Sequence, residues 1–154
     1  VSATDQGLIE GEAAGLMRER AKLETLGTPR IRVCADVLVK HAASVRPITA
    51  AQAARETAYR GLADALLVTG AATGEEADVA RFEEIKRAVP DRPVLIASGI
   101  TPENIARYAT ANGFIVGTWL KKGGKIENPV DLQRVRQLAR ARERLPLTNP
   151  RTAP

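Results

Sequence analysis

The chain has 154 residues, 44% of them apolar, which is enough for one globular domain with a substantial core. It contains a single cysteine, Cys34, which excludes a disulfide framework or a cysteine-based zinc site and favours a reducing compartment, the cytoplasm. The sequence has no apolar run approaching the roughly 20 residues that a membrane helix needs, so no transmembrane segment is expected.

The net charge of +5 is concentrated near the end of the chain. Residues 1–118 hold 14 Lys and Arg against 15 Asp and Glu, whereas residues 119–154 hold 9 against 3. Apolar residues recur in this region at helical spacing and predict an amphipathic helix over 130–144. Its arginines are expected in solvent: Arg134, Arg136, Arg140, Arg142 and Arg144. The alternative is a surface for anionic lipid or nucleic acid. Because aromatics are only 3% of the chain, we expect no nucleic-acid partner, while peripheral membrane contact stays open.

The first half of the chain reads as helix, strand, helix, strand. Residues 7–26 predict an amphipathic helix stopped by Gly27, and the apolar run "RIRVCADV" after it predicts a strand. The next helix has Thr49 as its N-cap and Gly61 as its end, and "ADALLVTG" predicts the second strand. Both strands are near-continuous apolar runs, as expected of parallel strands covered on both faces.

The second half continues this alternation. A helix over 75–89 precedes the strand "RPVLIASG". A short helix follows in "TPENIARYATA", where Thr101 is the N-cap and Asn104 takes the position at which a Glu often closes a capping box. "GFIVGT" predicts the fourth strand, ahead of the basic helix. A helix followed by four strand–helix units predicts an α/β domain with a parallel sheet over 1–144, and the proline-rich tail 145–154 is expected to be disordered.

Two of the predicted strands carry a similar sequence. "LADALLVTG" at 62–70 and "TANGFIVGT" at 110–118 share small residues, then Asp64 or Asn112, an apolar run, and Gly and Thr at the carboxyl end. The similarity fits successive units of a (β/α)8 barrel, in which ligand groups gather at the carboxyl ends of the strands.

The strongest candidate for ligand binding is a pair of strand ends, "ASGIT" at 97–101 and "VGT" at 116–118. Each ends in glycine beside a hydroxyl residue, which gives Ser98 with Gly99 and Gly117 with Thr118. Glycine lets exposed backbone N–H groups approach an anion, hydroxyls add donors, and a helix N-terminus would add its dipole. The pattern therefore predicts a phosphate site, and the alternative is that both glycines only make tight turns.

Other polar residues follow the remaining strands. Asp36 ends its strand, where a carboxylate serves as general base, metal ligand or hydroxyl anchor, or only caps the loop. Lys40 and His41 follow in "DVLVKHA" and are candidates for contacting an anionic substrate or moving a proton, although such a pair is more often solvated. The spacing of the carboxylates and the one histidine predicts no metal site.

Further ligand contacts are predicted at two strand ends. Thr69 and Gly70 close the strand "ALLVTG", and Asp5 lies in the polar stretch "TDQGLIEG", which we interpret as another strand-exit loop. These residues either face the same mouth as the phosphate candidates or only shape their own turns.

Several strings occur together and in order: "TDQGLIEGEA", "ADVLVKHA", "RGLADALLVTG", "SGITPENI", "GFIVGTWLKKGGKIENPVD" and the dipeptide "RV" at 134–135. With them the chain resembles the BtpA/SgcQ family from Ala3 to about Arg142. The resemblance implies a TIM-type (β/α)8 barrel of the phosphate-binding kind. For cyanobacterial members it implies a role in accumulating photosystem I at the thylakoid surface, and for members from non-photosynthetic organisms a more general chemistry.

The likeness covers only the second part of such a barrel, which typically has about 250 residues. It implies the helix after strand four and then strands five to eight with their helices. A four-stranded half-barrel has two open edges and an exposed inner face. We therefore expect the chain to be a piece of a longer protein or to pair with a second half, as an oligomer.

Two functions remain open from the sequence. The first is an enzyme-like barrel that binds a small phosphorylated metabolite at the two glycine turns, with Asp36 for acid, base or metal work and Lys40 and His41 orienting the anion. The second is a non-catalytic biogenesis or assembly factor that uses the barrel as a scaffold. Neither a reaction nor a cofactor can be assigned from these residues.

Overall fold

A computed structural model describes residues 1–4, 7–38, 41–70 and 75–146. In chain order the strands are β1 (Ser2–Thr4), β2 (Gly7–Ile9), β3 (Cys34–Asp36), β4 (Ala42–Ser44), β5 (Ala65–Val68), β6 (Val94–Ile96) and β7 (Gly113–Phe114). The α-helices are α1 (Ala13–Thr25), α2 (Ala50–Arg55), α3 (Val79–Ala88) and α4 (Leu132–Glu143). Short 3-10 helices cover Ile105–Tyr108, Thr118–Leu120 and Lys122–Gly124, and a π-helical turn, Glu56–Arg60, extends α2.

The four strands predicted from apolar runs form one parallel sheet in the order β3-β5-β6-β7. The order of the strands in the sheet is therefore the same as their order along the chain. The crossovers run through α2 and α3, which pack against each other. Because right-handed crossovers in a sequential strand order place their helices on one side, this packing is the expected one. The prediction of an α/β fold with a parallel sheet is confirmed.

A second, antiparallel sheet was not predicted. β1 pairs with both β2 and β4, so the start of the chain folds into a hairpin rather than entering a helix directly. The prediction of helix from residue 7 was therefore wrong, and α1 begins at Ala13. Gly7 has a φ of +119°, which excludes it from a right-handed helix, and Gly11 lowers helix propensity further.

Side-chain caps fix where the helices begin. The Thr49 hydroxyl accepts a hydrogen bond from the Gln52 amide at 3.1 Å, as the sequence predicts for this N-cap. Asp78 caps α3 by accepting from the Ala80 amide at 2.9 Å, so that helix starts later than predicted. At the other end of α1, Gly27 has a φ of +84°, and the predicted glycine stop is confirmed.

The core lies between the parallel sheet and the helices that cover it. Phe82 and Ile85 of α3 are completely buried, as the helical spacing indicates. The Phe82 ring meets the buried Tyr108 ring edge-on, with 5.8 Å between centroids. The Tyr108 hydroxyl donates to the Ala77 carbonyl and to Glu76. Burial and the neighbouring Glu76 carboxylate raise the pKa of this phenol, which therefore stays protonated and able to donate.

The repeated sequence feature has a structural basis at the amino ends of the strands. The Asp64 carboxylate accepts from the Val33 amide at 2.9 Å, just before β3, and the Asn112 side-chain oxygen accepts from the Val94 amide at the same distance. In each case a residue ahead of one strand holds the start of the preceding strand. Asp64 and Asn112 therefore play the same structural part in the sheet. Both lie at the amino ends of the strands, opposite the predicted ligand site.

The C-terminal helix is only partly apolar where it faces the protein. Leu138 and Ala141 of α4 pack against the core. Val130 and Leu132 are among the apolar residues whose helical spacing predicts an amphipathic helix here, but they are 55% and 61% exposed, so their place on its apolar face is not confirmed. In the described part of the chain, no helix combines the length and apolar character that crossing a membrane requires. Of the predicted tail, only Leu145 and Pro146 are described.

Candidate functional site

The carboxyl ends of β6 and β7 meet around one cavity. Pairing continues past the strands, since the Ile115 amide donates to the Ile96 carbonyl at 2.8 Å. The segments that leave the two strands therefore start side by side. Between them is a cavity of about 370 Å³, within the range of small-molecule sites. Its lining consists of Ala97, Ser98, Gly99, Ile100, Thr101, Ile115, Val116, Gly117, Thr118, Trp119, Gly124 and Ile126.

All four residues predicted to bind phosphate line this cavity: Ser98, Gly99, Gly117 and Thr118. Within the described residues, the backbone N–H groups of Gly99, Gly117 and Thr118 donate to no acceptor. Unpaired amides in successive turns are the donors with which proteins bind anions. The cavity therefore offers both amide and hydroxyl donors to a ligand.

Asn104 shapes the turn after β6. Its side-chain nitrogen donates to the Gly99 carbonyl at 2.7 Å, and its side-chain oxygen accepts from the Thr101 amide at 2.8 Å. The Thr101 hydroxyl accepts from the Glu103 amide at 3.3 Å, so Thr101 and Asn104 together close the turn 101–104. The prediction of Thr101 as a helix N-cap was wrong, because the helix begins only at Ile105 and has Asn104 at its N-cap position. Only a four-residue 3-10 helix follows, and the expected helix dipole therefore contributes little.

Gly99 and Gly70 also serve packing. Gly99 has a φ of +61°, and a Cβ there would lie 2.6 Å from the Glu76 amide nitrogen and still closer to the Glu75 carbonyl. A Cβ on Gly70 would also clash with the Glu75 carbonyl. Both glycines thus make room for the backbone that leads into α3. Thr69 and Gly70 are buried beneath this backbone and, unlike Gly99, do not line the cavity.

The opposite wall of the cavity is the loop 117–131. Its two arms are joined by the Lys122 amide donating to the Pro129 carbonyl at 3.0 Å and the Asp131 amide donating to the Leu120 carbonyl at 2.8 Å. From α4, Arg134 donates to the Trp119 carbonyl at 2.7 Å, and its guanidinium carbon lies 5.0 Å from the centroid of the Trp119 ring. The loop, which supplies five of the twelve lining residues, is therefore held by backbone and side-chain contacts.

Asp36 ends β3, as predicted, but β5 separates β3 from β6. At the usual strand spacing its backbone lies roughly 10 Å across the sheet from β6. Asp36 is exposed and lines a different, wider cavity of about 1010 Å³, bordered by α1, β3 and α2. His41 is exposed and has a φ of 57°. Asp5 and Lys40 lie outside the described residues. The structure thus brings the phosphate candidates together but does not bring Asp36 into their cavity.

An arginine cluster surrounds Asp64 at the other end of the sheet. The Asp64 side chain is 9% exposed and accepts from Arg20 at 3.0 Å and from Arg30 at 2.7 Å, with Arg32 at 3.8 Å. Burial alone would raise the pKa of this carboxyl, but the Val33 amide and the arginines outweigh burial and hold the pKa below its usual value. The cluster sits at the amino ends of the strands, at the opposite end of the parallel sheet from the cavity between β6 and β7.

Metal ligands are not clustered in this structure. Among residues 1–4, 7–38, 41–70 and 75–146, no group of three His, Cys, Asp or Glu side chains is arranged to hold an ion. Cys34, the one thiol, is exposed at the start of β3. The described residues that line the cavity contribute backbone amides, hydroxyls and apolar surface.

Comparison with known proteins assigns the chain to a family. The model of the BtpA family matches residues 1–144, which is nearly the whole chain. The chain belongs to the BtpA family. Among its relatives in that family, an uncharacterized protein of Pyrococcus abyssi is 44% identical over 141 residues, and one of Methanocaldococcus jannaschii is 40% identical over 146 residues. No solved structure matches the chain.

A BtpA family relative with a functional name is the photosystem I biogenesis protein BtpA of Synechocystis, 40% identical over 136 residues. The alignment covers 91% of this chain and 52% of the Pyrococcus protein, and 94% of this chain and 53% of the Methanocaldococcus protein. For the Synechocystis protein it covers 88% of this chain and 46% of the relative. The chain thus spans about half the length of the curated relatives it matches. Its resemblance to the family, inferred from six ordered motifs, is confirmed.

Three residues in or beside the cavity between β6 and β7 were not predicted as site residues. Trp119 and Arg134 pair only because the loop 117–131 folds back onto α4, which no local pattern indicates. Asn104 was predicted only as a capping residue, although the same side chain also holds the Gly99 carbonyl. Trp119 could have been predicted as a site residue, because the one tryptophan of the chain directly follows Gly117 and Thr118.

Proposed function

We propose that this chain binds the phosphate group of a small phosphorylated metabolite in the cavity between the ends of β6 and β7. The observation that carries the proposal is the convergence of Ser98, Gly99, Gly117 and Thr118 on one 370 Å³ cavity, where the amides of Gly99, Gly117 and Thr118 find no acceptor among the described residues. Such amides lose hydrogen bonds to water when a ligand enters unless the ligand replaces them, and a phosphate oxygen does so with charge assistance.

The phosphate reading is also supported by the charge of the loop 117–131. Within the described residues, no acidic side chain lines the cavity, so nothing in its wall repels an anion. The loop carries three lysines, Lys121, Lys122 and Lys125, against two carboxylates, Glu127 and Asp131, which leaves a net charge of +1 outside the lining. The anion would be held by neutral donors and attracted by cations at longer range.

Gly117→Asp tests this site without disturbing the fold. Among the described residues, no atom of another segment lies within 4 Å of where a Cβ on Gly117 would be, and its φ of −118° lies outside the left-handed region that favours glycine. We expect the carboxylate to weaken binding of ribose 5-phosphate and inorganic phosphate by at least about tenfold, through repulsion at close range. Titration calorimetry measures the affinity, and thermal unfolding measures the stabilisation, which is about 2.7 kcal/mol at 100 Kd.

The matched control is Gly11→Asp. It adds the same charge by the same substitution, also in open space, but Gly11 precedes α1 and does not line this cavity. We expect it to bind phosphate as the unchanged chain does. If no phosphate-bearing probe binds the unchanged chain, or if both variants lose affinity equally, the proposal is wrong.

We further propose that these four parallel strands are the second half of a TIM-type (β/α)8 barrel. The sequential strand order supports this, because doubly wound sheets reverse their strand order whereas barrels do not. The position of the cavity supports it as well, since barrels often bind phosphate after their last two strands. Within the described residues β3 and β7 each pair on one side only, and the missing strands would pair with these edges.

The half-barrel proposal predicts that the 154-residue chain does not stay monomeric. Open strand edges and exposed side chains such as Ile115, which is 50% exposed, favour pairing with a second copy or with the rest of a barrel. Size-exclusion chromatography with light scattering measures the mass. A monodisperse monomer with cooperative unfolding, at every concentration from micromolar to millimolar, would contradict this prediction.

A second candidate function is a non-catalytic assembly factor. The biogenesis name of the Synechocystis relative favours it, and so does a cavity lining without a charged acid or base among the described residues. Asp36 would supply the acid or base in the enzymatic alternative, from its separate position at the end of β3. If the chain is only an assembly factor, we expect the unchanged chain to bind phosphorylated metabolites no more tightly than the Gly117→Asp variant does. The same titration therefore separates the two proposed functions.

A further inference from the structure

The cavity has a second, apolar half beside its donors. Ile115, Trp119 and Ile126 line it from the loop 117–131 and the residues that lead into it, and the largely buried Ile100 adds to it from the turn after β6. Inorganic phosphate or a bare sugar phosphate would leave this surface in contact with water. The cavity therefore suits a phosphate ester whose body is apolar on at least one face.

Trp119 is the residue that narrows the ligand class. The guanidinium of Arg134 covers one face of the indole, with 5.0 Å from its central carbon to the ring centroid. A ligand can then meet the indole only on its other face or its edge. Aromatic side chains prefer flat, delocalised partners in offset or edge-on contact, and such contacts add to the energy of area burial.

Arg134 also fixes where that ring lies. It donates to the Trp119 carbonyl at 2.7 Å while its guanidinium rests over the ring, so one side chain holds both the backbone and the indole of the same residue. Gly124, another lining residue, has a φ of +69° and would place a Cβ 3.6 Å from an Arg134 nitrogen. The wall is thus pre-organised around the guanidinium, which reduces the ordering cost of binding.

We infer that the cavity takes a phosphate ester carrying a planar heteroaromatic ring, of the nucleoside monophosphate class, with the ring against Trp119 and the phosphate at the turns of Gly99 and Gly117. The inference rests on the proposed phosphate site and adds the chemistry of the remainder of the ligand. Arg134 is a positioning residue for Trp119 and does not itself line the cavity.

The test compares uridine 5′-monophosphate with ribose 5-phosphate, which share the sugar phosphate and differ in the ring. Stacking of a base on an aromatic side chain gives about tenfold or more in affinity, so we expect uridine 5′-monophosphate to bind at least about tenfold more tightly. Trp119 is the one tryptophan of the chain, so its fluorescence reports on the cavity directly. We expect the nucleotide to change this emission and ribose 5-phosphate to change it far less.

Variants separate the ring contact from the phosphate contact. Trp119→Ala should abolish the preference for the nucleotide and leave the ribose 5-phosphate affinity within about twofold, whereas Trp119→Phe should keep most of the preference. Arg134→Met should weaken nucleotide binding and shift the emission of the free chain. The matched control is Arg136→Met, which removes an exposed arginine from the same helix and should change neither.

The outcomes are distinguishable. Equal affinity for the two probes in the unchanged chain, or a nucleotide preference that survives Trp119→Ala, overturns this inference and leaves the phosphate site standing. If neither probe binds, the proposed function fails and this inference fails with it. Equal losses for both probes in Trp119→Ala would point to damage of the loop rather than loss of a ring contact, and would also overturn the inference.

Discussion

We expect Asp64→Ala to lower the free energy of unfolding by about 3 kcal/mol, because it breaks a largely buried ion pair and leaves Arg20 with only the Glu24 carboxylate, 4.0 Å away. The Arg20 side chain is 14% exposed and would lose its 3.0 Å contact with the carboxylate. The Val33 amide would lose its acceptor as well. Urea unfolding followed by circular dichroism measures the change.

The control for this substitution is Arg32→Ala. The Arg32 side chain is 74% exposed and lies 3.8 Å from the same carboxylate, so its loss should cost no more than about 0.5 kcal/mol. Equal effects of the two substitutions would show that the cluster acts as a loose surface network rather than through the buried Arg20 pair.

The Asp64 pKa gives the same cluster a pH dependence. Its folded pKa lies below the ordinary value of 3.8, so the unfolded chain binds the proton more tightly than the folded one. The stabilisation is complete above the unfolded pKa and is lost as the pH falls through the folded pKa. We expect the stability difference between the unchanged chain and Asp64→Asn to shrink from about pH 5 to about pH 3, as unfolding free energies at several pH values would measure. A constant difference would contradict this assignment.

We expect Gly99→Ala to destabilise the fold by about 3 kcal/mol, although the substitution adds one methyl group. The added Cβ would clash with the backbone of Glu75 and Glu76, and the φ of +61° is itself unfavourable for alanine. Thermal unfolding with van't Hoff analysis measures the loss. Reduced phosphate binding by this variant would therefore say nothing about the ligand site.

Two controls separate the causes at Gly99. Gly27→Ala carries the backbone cost alone, because Gly27 has a φ of +84° and nothing within 4 Å, and it should cost about 1 kcal/mol. Gly117→Ala carries neither cost and should change stability by no more than about 0.5 kcal/mol. If Gly99→Ala is no worse than Gly27→Ala, the approach of the Glu75 backbone is not as tight as described.

The parallel sheet was predictable because each of its strands is a short apolar run that ends in glycine or a polar residue, with a helix-length segment before the next. The antiparallel sheet was not, since β1 and β4 consist only of Ser, Thr and Ala and give no apolar run, and β1 pairs with a strand about 40 residues away. Cys34 illustrates the same limit, because it lies in an apolar run yet is exposed.

The candidate site also has features that could be predicted from the sequence and features that could not. Ser98, Gly99, Gly117 and Thr118 could be predicted because parallel neighbours place their carboxyl ends together, and each pair follows such a strand. The contact of Gly99 with Glu75 could not, since it depends on how the segment after β5 returns across the sheet. The pairing of Trp119 with Arg134 likewise needs the loop 117–131 and α4 to meet in three dimensions. Local chemistry can therefore identify donors but not the walls around them.

The contact between Gly99 and Glu75 has a practical consequence for spectroscopy. The protein uses only main-chain atoms of Glu75 there, and the Glu75 side chain is exposed. That side chain can be exchanged for a cysteine-linked dye without entering the packing, once the exposed Cys34 has been replaced by serine. The dye would then lie on the backbone that packs against the Gly99 turn, and a change of its anisotropy on addition of a ligand would show that binding changes the mobility of this backbone.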